Sequence, residues 1–196
     1  MKFLVICWTI ATAIITVTAV GDEILGPGRW DVLNVRQCDN SDQYEYQFNF
    51  QKKKLTRDQD CYNGNMSLEH RIDDSFSVRI VLCIVVDGGC KPYTEMSDDS
   101  FIGFVQKYAK HNIEKALSTA GIDPPEFPVD PGFYQIKDYV FDYCELPTVG
   151  VYGKFGSDTY LIQDEKDMAC IHFFLEFREE DDACDGDDEE SDEDEE

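Results

Sequence analysis

Residues 43–51 read Gln-Tyr-Glu-Tyr-Gln-Phe-Asn-Phe-Gln, which places an aromatic side chain at every second position. Because successive side chains of a β-strand point to opposite faces, this alternation predicts a strand with one buried, aromatic face. A similar alternation recurs at residues 76–82 and 168–177, and weaker strand patterns occupy residues 134–143 and 159–163. Turn-forming segments rich in Gly, Asp, Asn and Pro separate these stretches. The chain is therefore predicted to be mostly β, with antiparallel strands.

One segment has helical rather than strand periodicity. Within residues 100–120, apolar side chains recur every three or four positions, Asp98, Asp99 and Ser100 are candidate N-cap residues, and Gly121 stands where a C-terminal cap is expected. The Pro124-Pro125 pair prevents the helix from continuing. We therefore predict a two-sheet antiparallel β-sandwich with one amphipathic helix, formed as a single domain by residues 20–178.

The acidic residues are concentrated at the C-terminus. The formal net charge is −24, and residues 179–196 contain 14 acidic residues and no basic one. Nucleic acid and anionic membrane surfaces are not expected as partners, because binding phosphate takes clustered Lys and Arg. A segment with so many like charges cannot bury enough surface to fold, so we predict a disordered acidic tail over residues 179–196. The tail either binds a basic partner or serves only to increase solubility.

The N-terminus is typical of a secretory leader. Lys2 is followed by an apolar stretch and then by small residues at positions 17–19, which is the order found in a cleaved signal peptide. We predict a signal peptide at residues 1–19, with cleavage after Gly21 as the second choice. As a membrane anchor, the apolar stretch is short and rich in Thr. The mature protein is thus expected to be secreted, or to act in a lysosome-like compartment, without an integral membrane segment.

Cysteines are expected to form disulfides in such an oxidising compartment. Cys7 leaves with the leader, six cysteines lie in the predicted domain, and Cys184 lies in the tail. Cys184 is thus the odd one, and it could stay free or link to another chain. Metal ligation is the alternative, but the chain has no Cys-x-x-Cys pair and its histidines are scattered. No metal site is predicted.

No sequence pattern indicates catalysis. The chain lacks a Gly-x-Ser-x-Gly elbow, a phosphate-binding glycine loop and a His-Glu-x-x-His motif. His172 falls on a predicted strand and His111 on the polar side of the predicted helix. Histidines in such positions are more often half-exposed or hydrogen-bonded than catalytic. We therefore predict a non-enzymatic protein with no catalytic residue and no cofactor.

The order of short motifs toward the C-terminus resembles a known family. The motifs are Phe127-Pro128, Gly132 with Tyr134, Glu145-Leu146-Pro147, Gly153-Lys154-Phe155 and Ala169-Cys170-Ile171-His172. This order resembles the ganglioside-activator branch of the ML (lipid-recognition) domain family. It is equally similar to the small secreted insect-type proteins that share the same Leu-Pro and Gly-x-Tyr motifs.

Two further motifs extend the resemblance toward the N-terminus. Trp30-Asp31, ahead of Cys38-Asp39, resembles the family's opening strand, and residues 64–68, Gly-Asn-Met-Ser-Leu, resemble its Gly-Asn-x-Thr-Leu segment. The resemblance therefore covers about residues 30–177. Because Asn65-Met66-Ser67 is also an acceptor sequence for N-glycosylation, Asn65 is a predicted glycosylation site.

The resemblance also implies a set of disulfides. The family joins its first cysteine to the one in its last strand and closes a short loop with two cysteines seven positions apart. Its third bridge would need cysteines where this chain has Met96 and Phe127. The first two bridges carry over directly, and the two domain cysteines that remain are then expected to pair. The implied disulfides are Cys38–Cys170, Cys83–Cys90 and, from the remaining pair, Cys61–Cys144.

By this resemblance, the fold is a cup-like β-sandwich whose sheets separate to admit a lipid. A pocket for an acyl chain needs apolar walls and few polar groups, and the aromatic and aliphatic strand faces could supply them. The candidate wall residues are Tyr46, Phe48, Phe50, Val78, Ile80, Leu82, Ile171, Phe173 and Leu175. The candidate mouth residues are Phe101, Phe104, Val149, Tyr152 and Phe155.

Two functions are compatible with these expectations. The first is a secreted, non-enzymatic protein that binds a lipid or another apolar small molecule and presents it to a protein receptor or enzyme. The second is a secreted interaction module with a filled core, which acts in signalling, defence or adhesion through its surface and its acidic tail. An empty apolar cavity between the sheets would favour the first.

Overall fold

The computed structural model describes residues 25–39, 41–57, 59–180 and 184. The predicted signal peptide at residues 1–19 and most of the predicted acidic tail lie outside these residues. In the described part of the chain, no helix is both long and apolar enough to cross a membrane.

The described residues form nine strands, two helices and two 3-10 turns. The strands are β1 (Leu25–Gln37), β2 (Gln47–Lys54), β3 (Asp60–Leu68), β4 (Phe76–Val86), β5 (Gly89–Asp98), β6 (Gly132–Tyr139), β7 (Val149–Val151), β8 (Gly153–Gln163) and β9 (Lys166–Glu179). The helices are α1 (Phe101–Tyr108) and α2 (Lys110–Thr119), and the 3-10 turns are Ser41–Gln43 and Tyr143–Glu145.

The strands form two antiparallel sheets. The large sheet has the order β5-β4-β8-β9-β1-β7, and the small sheet has the order β2-β3-β6. One sheet curls into a half-barrel. Side chains join the two sheets where β2 passes β1: Lys52 Nζ donates to the Val32 carbonyl (2.5 Å), and Gln37 Nε2 donates to the Phe48 carbonyl (2.7 Å). The predicted mostly-β, two-sheet architecture is confirmed.

The predicted single helix is in fact two helices. Of the three candidate N-cap residues, Ser100 caps α1, and its side chain accepts a hydrogen bond from Gly103 N. At Ala109 the backbone leaves the helical region (φ −156°, ψ 36°). The chain then re-enters a helix whose first amides, His111 N and Asn112 N, donate to the Glu145 carboxylate (2.6 and 2.8 Å). Because of this break, the N-terminus of α2 points at the 3-10 turn Tyr143–Glu145.

The structure confirms two of the three expected disulfides. Cys38 is bonded to Cys170, and Cys83 to Cys90. The expected Cys61–Cys144 bridge is wrong, because Cys144 is bonded to Cys184 and Cys61 is a buried free thiol. The cause is side-chain alternation in β3. The neighbouring Tyr62 hydroxyl meets the Tyr143 hydroxyl (2.6 Å) beside Cys144, so Cys61 points to the other face of the sheet.

The predicted start of the tail also needs correction. β9 continues through Glu179, one residue beyond the predicted end of the domain. The next residue, Glu180, lies within ion-pair distance of Arg29 (3.4 Å) and Arg178 (3.2 Å). Cys184, within the predicted tail, is joined to the folded domain through its disulfide to Cys144.

Candidate ligand-binding cavity

An apolar cavity of about 240 Å³ lies between the two sheets and the helices. It is larger than the roughly 150 Å³ apolar cavity that, when engineered into another protein, stays dry and binds benzene. Its walls come from both sheets, both helices and the segment between α2 and β6. The lining residues are Phe48, Phe50, Met66, Ile72, Val78, Phe101, Ile113, Ala116, Leu117, Ala120, Phe127, Val129, Ile136, Thr159, Tyr160, Leu161, Ala169 and Ile171.

The lining is almost free of polar groups. Thr159 and Tyr160 are the two lining residues with hydroxyl groups. The Thr159 hydroxyl lies 3.5 Å from the Ser157 hydroxyl, and the Tyr160 ring lies under the Arg79 guanidinium, 4.5 Å from its centroid. The other lining residues named above carry apolar side chains. The described walls therefore suit an uncharged, apolar group and have no partner for a buried charge.

Small residues leave room for the cavity. Ala116 and Ala120 face it from α2 or its C-cap, and Ala169 faces it from β9. On the small sheet, Gly64 lies directly opposite Phe50. A Cβ at Gly64 would collide with the Phe50 ring, so glycine lets this ring lie close against β3. Alanines of α2 and β9 thus leave space next to the larger lining side chains, and Gly64 lets the Phe50 ring lie close to its own sheet.

A buried hydrogen-bond network fixes α2 over the cavity. The Asn112 side chain is 2% exposed; its Nδ2 donates to the Asp142 carbonyl (2.7 Å), and its Oδ1 accepts from Asp142 N (2.8 Å) and the Tyr139 hydroxyl (2.9 Å). Burial, with the nearby Glu145 and Asp142 carboxylates, raises the pKa of Tyr139 above its ordinary value. The phenol therefore stays protonated at neutral pH and keeps donating to Asn112.

The structure brings together only part of the predicted site. Phe48, Phe50, Val78, Phe101 and Ile171 line the cavity. Tyr46 is buried in the core beside Phe76, Phe104 packs on Tyr108, and Val149 is 62% exposed on β7. Phe173 follows Ile171 on the same face of β9 but is not part of the lining. The remaining candidates, Ile80, Leu82, Tyr152, Phe155 and Leu175, belong to a second apolar cluster.

That second cluster fills the other end of the large sheet. Its buried centre is Leu82, Phe155 and Phe177. Trp30 lies over both phenylalanines, with ring centroids 5.7 Å from Phe155 and 5.0 Å from Phe177. Tyr93 packs on Phe155 (5.5 Å). We call these residues, together with Ile80, Tyr152 and Leu175, the filled end, and the half that contains the cavity the cavity end.

Sequence reasoning missed most of the covering residues. Ile113, Ala116 and Leu117 already stood on the apolar face of the predicted helix, so the helical pattern contained this signal. Met66 and Ile136 lie on strands without a regular alternation in the sequence. The other missed lining residues are Ile72, Ala120, Phe127, Val129, Thr159, Tyr160, Leu161 and Ala169.

Two groups of metal-ligand side chains occur among the described residues, and both have other partners. Cys38 and Cys170, beside Asp158, are joined as a disulfide. Glu45 lies with Glu69 and His70 on the surface, where a hydrogen bond from Lys166 (2.9 Å) lowers its pKa. Asp158 also contacts His172 Nδ1 at 2.6 Å. None of these groups faces the cavity.

Comparison with protein-family models and with curated proteins finds no match to this chain.

Proposed function

We propose that this protein is a secreted, non-enzymatic carrier that binds a lipid or another apolar small molecule. The observation that carries the proposal is the apolar cavity of about 240 Å³ between the two sheets and α2. Ordinary sandwiches fill this space with interdigitating side chains. The proposed role is to hold an apolar group away from water and pass it to a protein receptor or enzyme.

The lining supports an uncharged chain as the part of the ligand that enters. Burial of each methylene contributes about 0.8 kcal/mol, and the walls contain no charged side chain among the described lining residues. A charged headgroup would be costly to bury there, so it would remain outside. In a cavity of about 240 Å³, a single aliphatic or isoprenoid chain fits better than a lipid with two long chains.

The cysteines support a place outside the cytosol. Three disulfides within one chain of this length are typical of oxidising compartments, and the leader predicted at residues 1–19 would direct the chain there. The motif order noted above, with two of its implied disulfides present, supports membership of the ML lipid-recognition family. We therefore propose extracellular fluid, with a lysosome-like compartment as the alternative.

The direct test is to look for a bound molecule. Protein secreted by its own source should yield a stoichiometric apolar compound on solvent extraction and mass spectrometry, and native mass spectrometry should show the intact complex. Protein that is consistently empty and takes up no fluorescent fatty acid would contradict the carrier function and leave the interaction module as the better explanation.

A matched pair of variants localises the binding. Ala116→Leu adds carbon atoms inside the cavity, whereas Ser118→Leu adds the same side chain on the exposed face of the same helix. Filling the space of two or three methylenes should weaken binding of a fluorescent fatty acid by about tenfold or more. Ser118→Leu should bind like the unmodified protein. Equal affinities in the two variants would place the ligand elsewhere.

A further inference from the structure

The outer face of the small sheet carries three unused amide side chains in one row. Asn49, Asn65 and Gln135 lie directly opposite one another across β2, β3 and β6. Side chains paired in this way have Cβ atoms about 4.5–5.5 Å apart. Among the described residues, no hydrogen bond involves any of these three amide groups, and Asn49 and Gln135 are exposed. The row therefore offers several free donors and acceptors on the outer face of the small sheet.

The most exposed large apolar side chain of the described residues lies beside this row. Phe133 is 68% exposed and stands on β6 directly opposite Ser67. Ser67 is the hydroxyl residue of the Asn65-Met66-Ser67 acceptor sequence. Phe133 is thus a diagonal neighbour of Asn65, within the roughly 7–8 Å that aromatic side chains can span. Among the described residues, no other aromatic ring packs on Phe133.

We propose that Asn65 carries an N-linked glycan whose first sugar packs on the Phe133 ring and hydrogen-bonds to the Asn49 and Gln135 amides. A pyranose has an apolar C–H face and a rim of hydroxyl groups, and this surface offers an aromatic ring and amides to match them. The proposal goes beyond the carrier function, and it rests on the secretory route proposed with that function, since the sugar is added there.

The chemistry of attachment is a group transfer without oxidation or reduction. The donor is a lipid-linked oligosaccharide diphosphate. A bond forms between Asn65 Nδ2 and the anomeric carbon of the sugar, the bond from that carbon to the diphosphate oxygen breaks, and the amide nitrogen loses one proton. The lipid diphosphate leaves. Transfer to the unfolded chain needs only the acceptor sequence, and the folded sheet then places the sugar on Phe133.

The glycan would lie on the opposite side of the sheet from the cavity. Met66 and Ile136 point into the cavity, and Asn65 and Gln135, their neighbours along the strands, point to the other face. We therefore expect the glycan to stabilise the small sheet without obstructing ligand uptake. Protein lacking the glycan should bind a fluorescent fatty acid as the glycosylated protein does, so failure of this inference is distinguishable from failure of the carrier proposal.

A double-mutant cycle between the glycan and Phe133 tests the contact. The full chain is secreted from eukaryotic cells as the unmodified protein, Asn65→Gln, Phe133→Thr and the double variant, and the unfolding temperature of each is measured. Phe133→Thr should lower the unfolding temperature of the glycosylated protein by about 2–4 °C and should have little effect in the Asn65→Gln background. Val149→Thr, a remote exposed apolar residue, should show no such coupling.

Two results would overturn the inference. One is the absence of a mass decrease on treatment with peptide N-glycosidase, which would mean that Asn65 carries no glycan. The other is additivity in the cycle, which would mean that the sugar does not touch Phe133. If Asn65→Gln fails to fold, the glycan can be trimmed enzymatically to its first sugar in the unmodified protein and in Phe133→Thr. Trimming should leave the effect of Phe133→Thr intact, and full removal should abolish it.

Discussion

The cavity end and the filled end share the same strands, yet the apolar cavity lies at the first and a cluster of aromatic and aliphatic side chains occupies the second. Along β9 the inward side chains run from Ala169 and Ile171 at the cavity to Leu175 and Phe177 in the filled end. Along β8 they run from Leu161 and Thr159 to Phe155. The faces are continuous, so the difference arises from side-chain size and from what covers each half. Aromatic rings from the large sheet itself close the filled end, whereas a second sheet and an alanine-bearing helix cover the cavity.

This difference suggests that the filled end and the cavity end contribute differently to stability and to ligand binding. Close packing stabilises a fold, and empty volume forgoes the contacts that the missing atoms would make. The filled end should therefore contribute most of the stability, and the cavity end should hold the ligand at some cost in stability. Four sets of substitutions test this comparison, in order of decreasing expected effect.

Disulfide removal should produce the largest effect and should differ between the two ends. Cys38–Cys170 lies beside Ile171 at the cavity end and joins residues 132 apart, whereas Cys83–Cys90 lies beside Leu82 at the filled end and joins residues 7 apart. Loop-closure entropy predicts a loss of about 4–5 kcal/mol for Cys38→Ala/Cys170→Ala and about 2–3 kcal/mol for Cys83→Ala/Cys90→Ala. Urea unfolding of the two double variants measures both losses. Equal losses would mean that strain or residual structure, not loop length, determines these contributions.

Large-to-small substitutions compare the packing of the two ends directly. Phe155 is 2% exposed and contacts Trp30 and Tyr93, so Phe155→Ala should lower the free energy of unfolding by about 3–5 kcal/mol. Phe50 is only half-buried and already faces empty volume, so Phe50→Ala should cost about 1–2 kcal/mol. Urea unfolding without added ligand gives both values.

In a binding assay, Phe155→Ala and Phe50→Ala should show the opposite order of effects. Phe50→Ala should change the affinity for a fluorescent fatty acid, and Phe155→Ala should not do so at temperatures where it remains folded. If both variants lost equal stability, the cavity would be closed in solution and the comparison between the two ends would fail.

The fold was more predictable than the site, and particular strands show why. The alternation of β2, β4 and β9 appears directly in the sequence, although in the structure β9 buries the consecutive residues Met168, Ala169 and Cys170. β5 is exposed along its whole length and therefore has no alternation to detect. Gly64 interrupts β3, and the break at Ala109 depends on the distant Glu145 carboxylate, which no local pattern contains.

The cavity residues could be predicted only in part, because alternation identifies the inward face but not what lies opposite it. Phe48, Phe50, Val78 and Ile171 share their pattern with Ile80, Leu82 and Leu175, which fill space instead of lining it. Deciding between these two outcomes requires the position of α2 and the small sheet. The failed Cys61–Cys144 expectation has a related origin, since the partner of Cys144 is Cys184, in a segment expected to lie outside the fold.

A substitution of Asn112 tests whether its hydrogen bonds hold α2 over the cavity. Its amide makes buried hydrogen bonds to Asp142 and Tyr139, and Asn112→Ala would leave those groups unsatisfied. We expect a loss of about 2–3 kcal/mol in the free energy of unfolding, together with weaker binding of a fluorescent fatty acid because α2 lines the cavity. Ser118→Ala, on the exposed face of the same helix, is the control. A stability loss with unchanged binding would show that α2 need not be fixed for uptake.

The smallest expected effect concerns the contact between the two sheets at Lys52 and Asp60, which we call the seam. The stability that the seam contributes should depend on pH. Lys52 bonds to the Val32 carbonyl of β1 (2.5 Å) and to the Asp60 carboxylate (2.6 Å), and Lys54 also contacts Asp60 (2.8 Å). Burial acts to raise the pKa of Asp60, but hydrogen bonds from the two lysines outweigh it and hold the pKa below its ordinary value of 3.8. A lowered pKa in the folded state means that the carboxylate stabilises the protein above the ordinary value. This contribution is lost as the pH falls through the folded-state pKa.

Asp60→Asn should therefore lower the free energy of unfolding at pH 7 by less than about 1 kcal/mol. The difference from the unmodified protein should shrink as the pH falls below the ordinary Asp60 value. Glu176→Gln, which removes a carboxylate 3.8 Å from Lys154 at the filled end, serves as the control and should leave ligand uptake unchanged. Asp60→Asn should slightly weaken uptake of a fluorescent fatty acid at pH 7, because Lys52 then loses the carboxylate that positions it at the seam. If Asp60→Asn keeps full stability and full uptake at every pH, the seam does not hold the small sheet over the cavity, and that task falls to α2 and its Asn112 network alone.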